Sequence, residues 1–245
     1  MEIEILKFAL NLEYLEAEFY TYALYGASIT AFGIPINGEA NSPNPAAGGY
    51  TTGGAKVAFS NNLVFTQEIA DQIGADERAH VVLLRTFLGA QAVAKPNINL
   101  NALGFGFANE NEFLRLARIF EDIGVTAYAG AAGMLTTPKV ITTAARVLAV
   151  EAEHVGTIRT QIARLNVTTS ALDGADLIPP PSGPQTTYLS VNPSNGLVAT
   201  RTPGEVLYLA YCMASGAKQG GFFPSGVNGS ITMSTGPATS ANLAT

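Results

Sequence analysis

Residues 147–165 read VLAVEAEHVGTIRTQIARL. Within this stretch Val147, Ile158 and Leu165 share one face of a helix, because each residue turns the helix by about 100°. Glu151 and His154 stand on that same face, three residues apart. A carboxylate and an imidazole in a core-facing line need a partner, since an unpaired buried charge costs several kcal/mol or more. The chain repeats the pattern at 73–87, IGADERAHVVLLRTF, where Glu77 and His80 have the same spacing. The sequence holds 2 histidines in all, and both lie in Glu-x-x-His.

Working outward from 147–165, the stripe extends back through Ala144 and Val140. On the segment around 77 it reads Ile69, Ile73, Glu77, His80, Leu84, Phe87. Two further segments carry such a line. One reads Leu114, Ala117, Glu121, Gly124, Tyr128, Ala131, Leu135, and the other Leu6, Leu10, Glu13, Ala17, Tyr20, Leu24. The periodicity predicts four helices, over about 3–25, 60–90, 109–135 and 138–165, the last opened by Thr137 as N-cap and Pro138 at the first helical position. Each apolar stripe is broken near its middle by a group that can bind metal.

Four carboxylates facing one another in an apolar bundle repel and resist desolvation. Two divalent cations would neutralise Glu13, Glu77, Glu121 and Glu151, with His80 and His154 as neutral nitrogen ligands. Glu16 lies on a neighbouring apolar line and is an alternative to Glu13. Glu18, Asp122 and Glu153 fall among polar neighbours and read as solvated, with an outer role open to Glu153. Asp76 and Arg78 read as surface residues, and Cys212 as a buried thiol.

The fold expected is mainly α, a four-helix bundle over 1–165 with a loop insertion at 26–59 and a long crossover near 92–106. Residues 166–245 form a turn-rich C-terminal extension that packs on the bundle or on a neighbouring chain. Within it TPGEVLYLAYCMAS (202–215) is a short helix opened by a capping box from Thr202 to Glu205. The Phe222–Phe223 pair is its apolar anchor, and the uncharged tail beyond it requires something to hold it. A formal charge of −6 without clusters of Lys and Arg excludes nucleic acid as an expected partner. No uninterrupted apolar run of membrane-spanning length occurs. The opening MEIEILKF lacks the basic start of a signal peptide, so the chain reads as cytoplasmic as numbered, and as secreted or periplasmic if a signal was removed.

These residues resemble the ferritin-like di-metal carboxylate superfamily over about 3–165. The resemblance implies Glu13 and Glu121 as terminal ligands, Glu77 and Glu151 as bridging ligands, and His80 and His154 as terminal ligands. It also implies Tyr20 and Tyr128, each seven residues after a Glu, as hydrogen-bonding supports of the ligands. LNLEYLEAEFY (10–20), TPGEVL (202–207) and GGFFPSGVNG (220–229) look like the desiccation-related branch of that superfamily. The function implied is redox chemistry on dioxygen or peroxide by two iron or manganese ions, manganese-catalase-like if the metal is manganese, in stress protection. A non-catalytic stress or scaffold protein with a structural or vestigial metal site is the alternative. A homo-oligomer is expected in either case.

Overall fold

The computed structural model describes residues 1–38, 47–60, 64–183 and 186–244. Four long helices form the bundle: α1 Glu2–Tyr25, α2 Val64–Leu88, α3 Glu110–Ala131 and α4 Pro138–Arg164. A short helix, α5 Pro203–Ala210, lies in the C-terminal extension. α1 packs chiefly on α2, and α3 on α4. The start expected for α2 near residue 60 falls partly on 61–63, outside the described residues.

Local chemistry sets the ends of these helices. α1 carries Glu2 and Glu4 in its first turn, against the helix dipole. It closes on Gly26 in the left-handed conformation, whose N–H donates to the Tyr22 carbonyl. Asn109 caps α3 by accepting from the Glu112 amide. Thr202 and Glu205 form the reciprocal capping box of α5. Pro138 does open α4, but the Thr137 hydroxyl makes no cap bond. It donates instead to Glu2 Oε1 at 2.7 Å, while Glu2 Oε2 accepts the Thr136 and Thr137 amides at 2.7 and 2.8 Å. Those donors hold the Glu2 carboxyl at about 2, and they tie the start of α4 to the start of α1.

Two segments outside the four helices cover the bundle. A two-residue parallel pair, β1 Thr51–Thr52 with β2 Ile98–Asn99, joins the α1–α2 connection to the α2–α3 crossover. Behind it lies a buried ion pair: Lys95 Nζ stands 3.1 Å from Glu18 Oε1 and donates to Thr51 Oγ1 at 2.7 Å. Glu18 also accepts from Ser28 Oγ at 2.8 Å. Glu18 is therefore a fully buried paired carboxylate rather than a solvated one, because the crossover lays Lys95 over the outer face of α1.

The C-terminal extension docks through buried arginines. Arg118 Nε and Arg159 Nη1 approach Asp122 Oδ2 at 2.7 and 2.8 Å, and Arg118 reaches Asp176 at 2.5 Å. Arg159 also donates to the Leu177 and Thr187 carbonyls. Arg201 pairs with Asp173 at 2.7 Å and donates to Thr126 Oγ1 at 2.8 Å. A Cβ at Gly130 would lie 2.1 Å from the Arg201 carbonyl oxygen, so α3 is bare there to admit the extension's backbone. Further along, Asn11 and Asn228 exchange bonds of 2.8 and 2.9 Å, and Phe222 stacks edge-on against Phe120 at 5.0 Å. The tail is held by its own chain: Asn242 donates to the Thr200 carbonyl, and the Leu243 carbonyl accepts from Asn192.

Asp122, like Glu18, is thus buried and paired instead of solvated. Replacing it by Ala would leave two guanidinium groups buried against the remaining Asp176. Loss of such a partner costs about 3–5 kcal/mol. The expected outcome for Asp122→Ala is a melting temperature lower by roughly 10 °C. A shift of only a degree or two in thermal denaturation would show that the network is open to water.

Candidate metal centre

The four stripes meet in the middle of the bundle. Glu13 from α1, Glu77 and His80 from α2, Glu121 from α3, and Glu151 and His154 from α4 are all buried. They form two overlapping sets of potential ligand atoms, each set with all its atoms within 4.8 Å of one another. One set is Glu13, Glu77, His80 and Glu151, and the other is Glu77, Glu121, Glu151 and His154. Glu77 and Glu151 belong to both sets. The structure brings together all six residues named from the sequence. It places Glu13, rather than Glu16, in the cluster.

The geometry is convergent. His80 Nδ1 stands 3.3 Å from Glu13 Oε2, 3.3 Å from Glu77 Oε2 and 3.5 Å from Glu151 Oε1. His154 Nδ1 stands 3.0 Å from Glu77 Oε1 and 3.2 Å from Glu121 Oε2. A ring nitrogen carries at most one proton, so it cannot serve three oxygens at once. Distances near 3 Å do match the ligand-to-ligand edge around an ion with bonds of about 2.1 Å. Among the described residues, 7 buried polar side-chain atoms lack a hydrogen-bond partner, and 4 of them belong to Glu13, Glu77 and Glu151. Orphaned carboxylate oxygens aimed at common points fit a divalent cation at each.

Electrostatics carry the same message. Burial pushes Glu77 up to about 7, against the pull of both histidines. Burial, then the neighbouring Glu77 charge, pushes Glu151 well above the carboxylate range. Burial acts on Glu13 most strongly, yet the His80 charge and the hydrogen bonds from His80, Glu77 and Tyr128 together outweigh it and leave the carboxyl lowered. Burial opposes the charge on His154, but Glu121 and Glu77 overcome it and push the imidazole up to about 12. His80 is raised too, by Glu13 first, over the opposition of its burial. Without cations the protein must recruit protons to balance this cluster.

The surrounding shell is equally specific. Tyr20 donates to Glu121 Oε1 at 2.5 Å, and Tyr128 donates to Glu13 Oε1. Each hydroxyl thus crosses between α1 and α3 to fix the other helix's carboxylate. Burial raises both phenols, and the accepting carboxylates raise them further. Asp76 Oδ2 lies 3.4 Å from His154 Nε2, on the ring edge opposite the cluster. Arg78 donates to Thr21 and covers the Phe32 ring, and Glu153 is exposed as read from the sequence.

Two residues beside the cluster take places that the sequence left undefined. Gly124 sits in the α3 stripe because a Cβ there would fall 2.5 Å from Glu151 Oε2 and 3.3 Å from Glu16 Oε1. Glu16 itself is buried beside the cluster, pushed well above the carboxylate range by burial and by the charges of Glu151, Glu77 and Glu121. The sequence offered Glu16 as an alternative to Glu13, and the structure sets it next to the cluster instead of in it.

A bundle whose four helices each project a carboxylate to its axis, two of them through Glu-x-x-His, has the architecture of the carboxylate di-metal proteins. The Ferritin-like domain model matches residues 1–164, and the chain belongs to that family. It is similar to the desiccation-related protein PCC13-62 of Craterostigma plantagineum, at 28% identity over 64% of this chain and 52% of that protein. It thus spans about half the length of that relative. It is also similar to the ferritin-like catalase Nec2 of Nesocodon mauritianus, at 25% identity over 94% of this chain and 84% of the relative. No solved structure matches. Among the described residues, no helix is long and apolar enough to cross a membrane.

Proposed function

We propose that this protein is a di-metal carboxylate oxidoreductase acting on peroxide or dioxygen. The sharing of Glu77 and Glu151 between two sets of potential ligands carries the reading, because such an overlap suits two adjacent ions better than one. Glu13 with His80 would hold one iron or manganese ion, and Glu121 with His154 the other. The pair would supply two electrons and take them back, as disproportionation of peroxide to water and dioxygen requires. The protein's own part is to hold the carboxylates in register through Tyr20 and Tyr128, to fix the His154 ring through Asp76, and to keep bulk water out. The catalase named among the relatives supports peroxide as substrate, and the Glu-rich donor set suits manganese or iron.

The test is metal analysis of protein purified without chelators, then dioxygen release from peroxide on the same sample. The expected result is about two transition-metal ions per chain and turnover that scales with metal content. Two firmly held ions with no turnover would favour a structural site in a stress or scaffold protein. The complete burial of Glu77, Glu121 and Glu151 is the observation behind that second reading.

A role in stress protection and a homo-oligomeric state are part of the same proposal. Tyr188 and Leu189 on the extension are 64% and 60% exposed and supply apolar surface for self-association. The double substitution Tyr188→Ser and Leu189→Ser is expected to lower the solution mass measured by light scattering. An unchanged mass would place the contact elsewhere or leave the chain a monomer.

A further inference from the structure

Two small cavities lie end to end between the C-terminal extension and the bundle. The inner one, of about 30 Å³, is walled by Leu12, Phe120, Gly124, Leu209 and Phe222, with Glu16 at its polar end. The outer one, of about 90 Å³, is walled by Leu103, Ile119, Cys212 and Met213, and again by Leu209 and Phe222. Met213 is 55% and Leu103 36% exposed, so the outer cavity reaches the surface. Leu209 and Phe222 are the walls common to both. Each cavity holds a molecule of the size of water or dioxygen, for which about 10–15 Å³ suffices.

The inner end touches the carboxylate cluster. Glu151 Oε2 and Glu16 Oε1 lie within 2.5 and 3.3 Å of the point where Gly124 would carry a Cβ. Glu16 is buried, and among the described residues it accepts no hydrogen bond, although every other carboxylate of the bundle's centre except Glu151 has a tyrosine or histidine partner. The backbone is shaped for this roof as well. Cys212 and Met213 both adopt left-handed conformations, with φ of 56° and 65°, which non-glycine residues rarely do. That turn folds the chain back until the Phe222 amide donates to the Ala210 carbonyl at 2.9 Å.

We propose that the C-terminal extension roofs an access route to the carboxylate centre, with Leu209 and Phe222 as its size-selecting constriction and Glu16 as the hydrogen-bonding group at its inner end. The apolar walls and the terminal carboxylate select a small uncharged hydrogen-bonding oxidant, of the size of hydrogen peroxide, and reject anions and hydrated cations. Glu16 is a positioning residue in this scheme and not a ligand. The inference rests on the redox reading of the centre for its substrate, but the route itself is testable without turnover.

Crystals of the full chain pressurised with xenon test the route directly. Xenon is expected in the inner cavity of the unsubstituted protein and is expected to be lost from it in Leu209→Phe. A cavity without xenon in the unsubstituted protein would overturn the route, whatever the activity. With the metal-loaded protein, Leu209→Phe is expected to lower kcat/KM for hydrogen peroxide by about tenfold at unchanged metal content. Leu209→Ala is expected to raise the rate with tert-butyl hydroperoxide relative to hydrogen peroxide. Glu16→Leu is expected to raise KM with both metals retained, and Glu16→Gln to restore most of it. Loss of one metal in Glu16→Leu would make Glu16 a ligand and overturn its assigned role. Absence of peroxide turnover in the unsubstituted protein, with xenon in place, would count against the redox reading alone.

Discussion

Protein carrying both His80→Ala and His154→Ala is expected to retain no stoichiometric metal after dialysis. Each imidazole is the one nitrogen group of its ligand set, and each set shares two of its three carboxylates, Glu77 and Glu151, with the other. Removing a donor therefore weakens both centres. Loss of even an outer-shell partner costs 10- to 100-fold in metal affinity, and loss of a ligand costs more, so the pair should lower it by at least about 10⁴-fold. The measurement is elemental analysis per chain, with far-ultraviolet circular dichroism to confirm that the helices persist. Retention of two ions by the double variant would refute the ligand assignment. Single variants separate the sites: His80→Ala should deplete the ion beside Glu13 first, and His154→Ala the ion beside Glu121.

The second large effect is on stability. Stripping the metals leaves Glu13, Glu77, Glu121 and Glu151 buried with only the two histidines and the tyrosines for partners. At pH 8 the metal-free protein should melt well below the loaded one. The gap should narrow as pH falls, and the sign follows from Glu77. Its folded value of about 7 lies above its ordinary 4.5, so the folded state binds a proton that the unfolded chain does not. That contribution is fully present below about 4.5 and is lost as pH rises through about 7. Its size is on the order of 3 kcal/mol, or roughly 10 °C in melting temperature for a chain of this length. Glu151 and both histidines, raised as well, act in the same direction. Glu13, lowered by His80, acts in the opposite one. Thermal scans of loaded and stripped protein from pH 8 to pH 5.5 check this. Equal melting temperatures throughout would mean that the cluster is already hydrated.

Both expectations trace to features legible before any coordinates. The helices fall where the apolar period places them, since a stripe with 3.6-residue spacing has one way to reach a core. The two Glu-x-x-His pairs were visible because the chain has no other histidine. Glu13 and Glu121 were visible as interruptions of otherwise apolar lines. Only the assembled bundle decides between Glu13 and Glu16, because both lie on buried faces of α1 and differ in what stands opposite.

The same limit explains the carboxylates misread as solvated. Periodicity reports what a residue's own helix neighbours are, not what another segment lays over them. Lys95, 77 residues along the chain, covers Glu18, and Arg159, 37 residues along, covers Asp122. Nothing local distinguishes these buried ion pairs from a solvated face, since a charge on the outside of a helix costs nothing until a second layer buries it. So the sequence by itself determined the four helices, the polar breaks in their stripes and the chemistry those breaks can support. The tertiary structure alone decided which groups share the cluster, which acids are neutralised by distant bases, and that Leu209, Phe222 and Glu16 line one cavity. Those are properties of contact between segments far apart in the chain, set by packing and desolvation that no local pattern encodes.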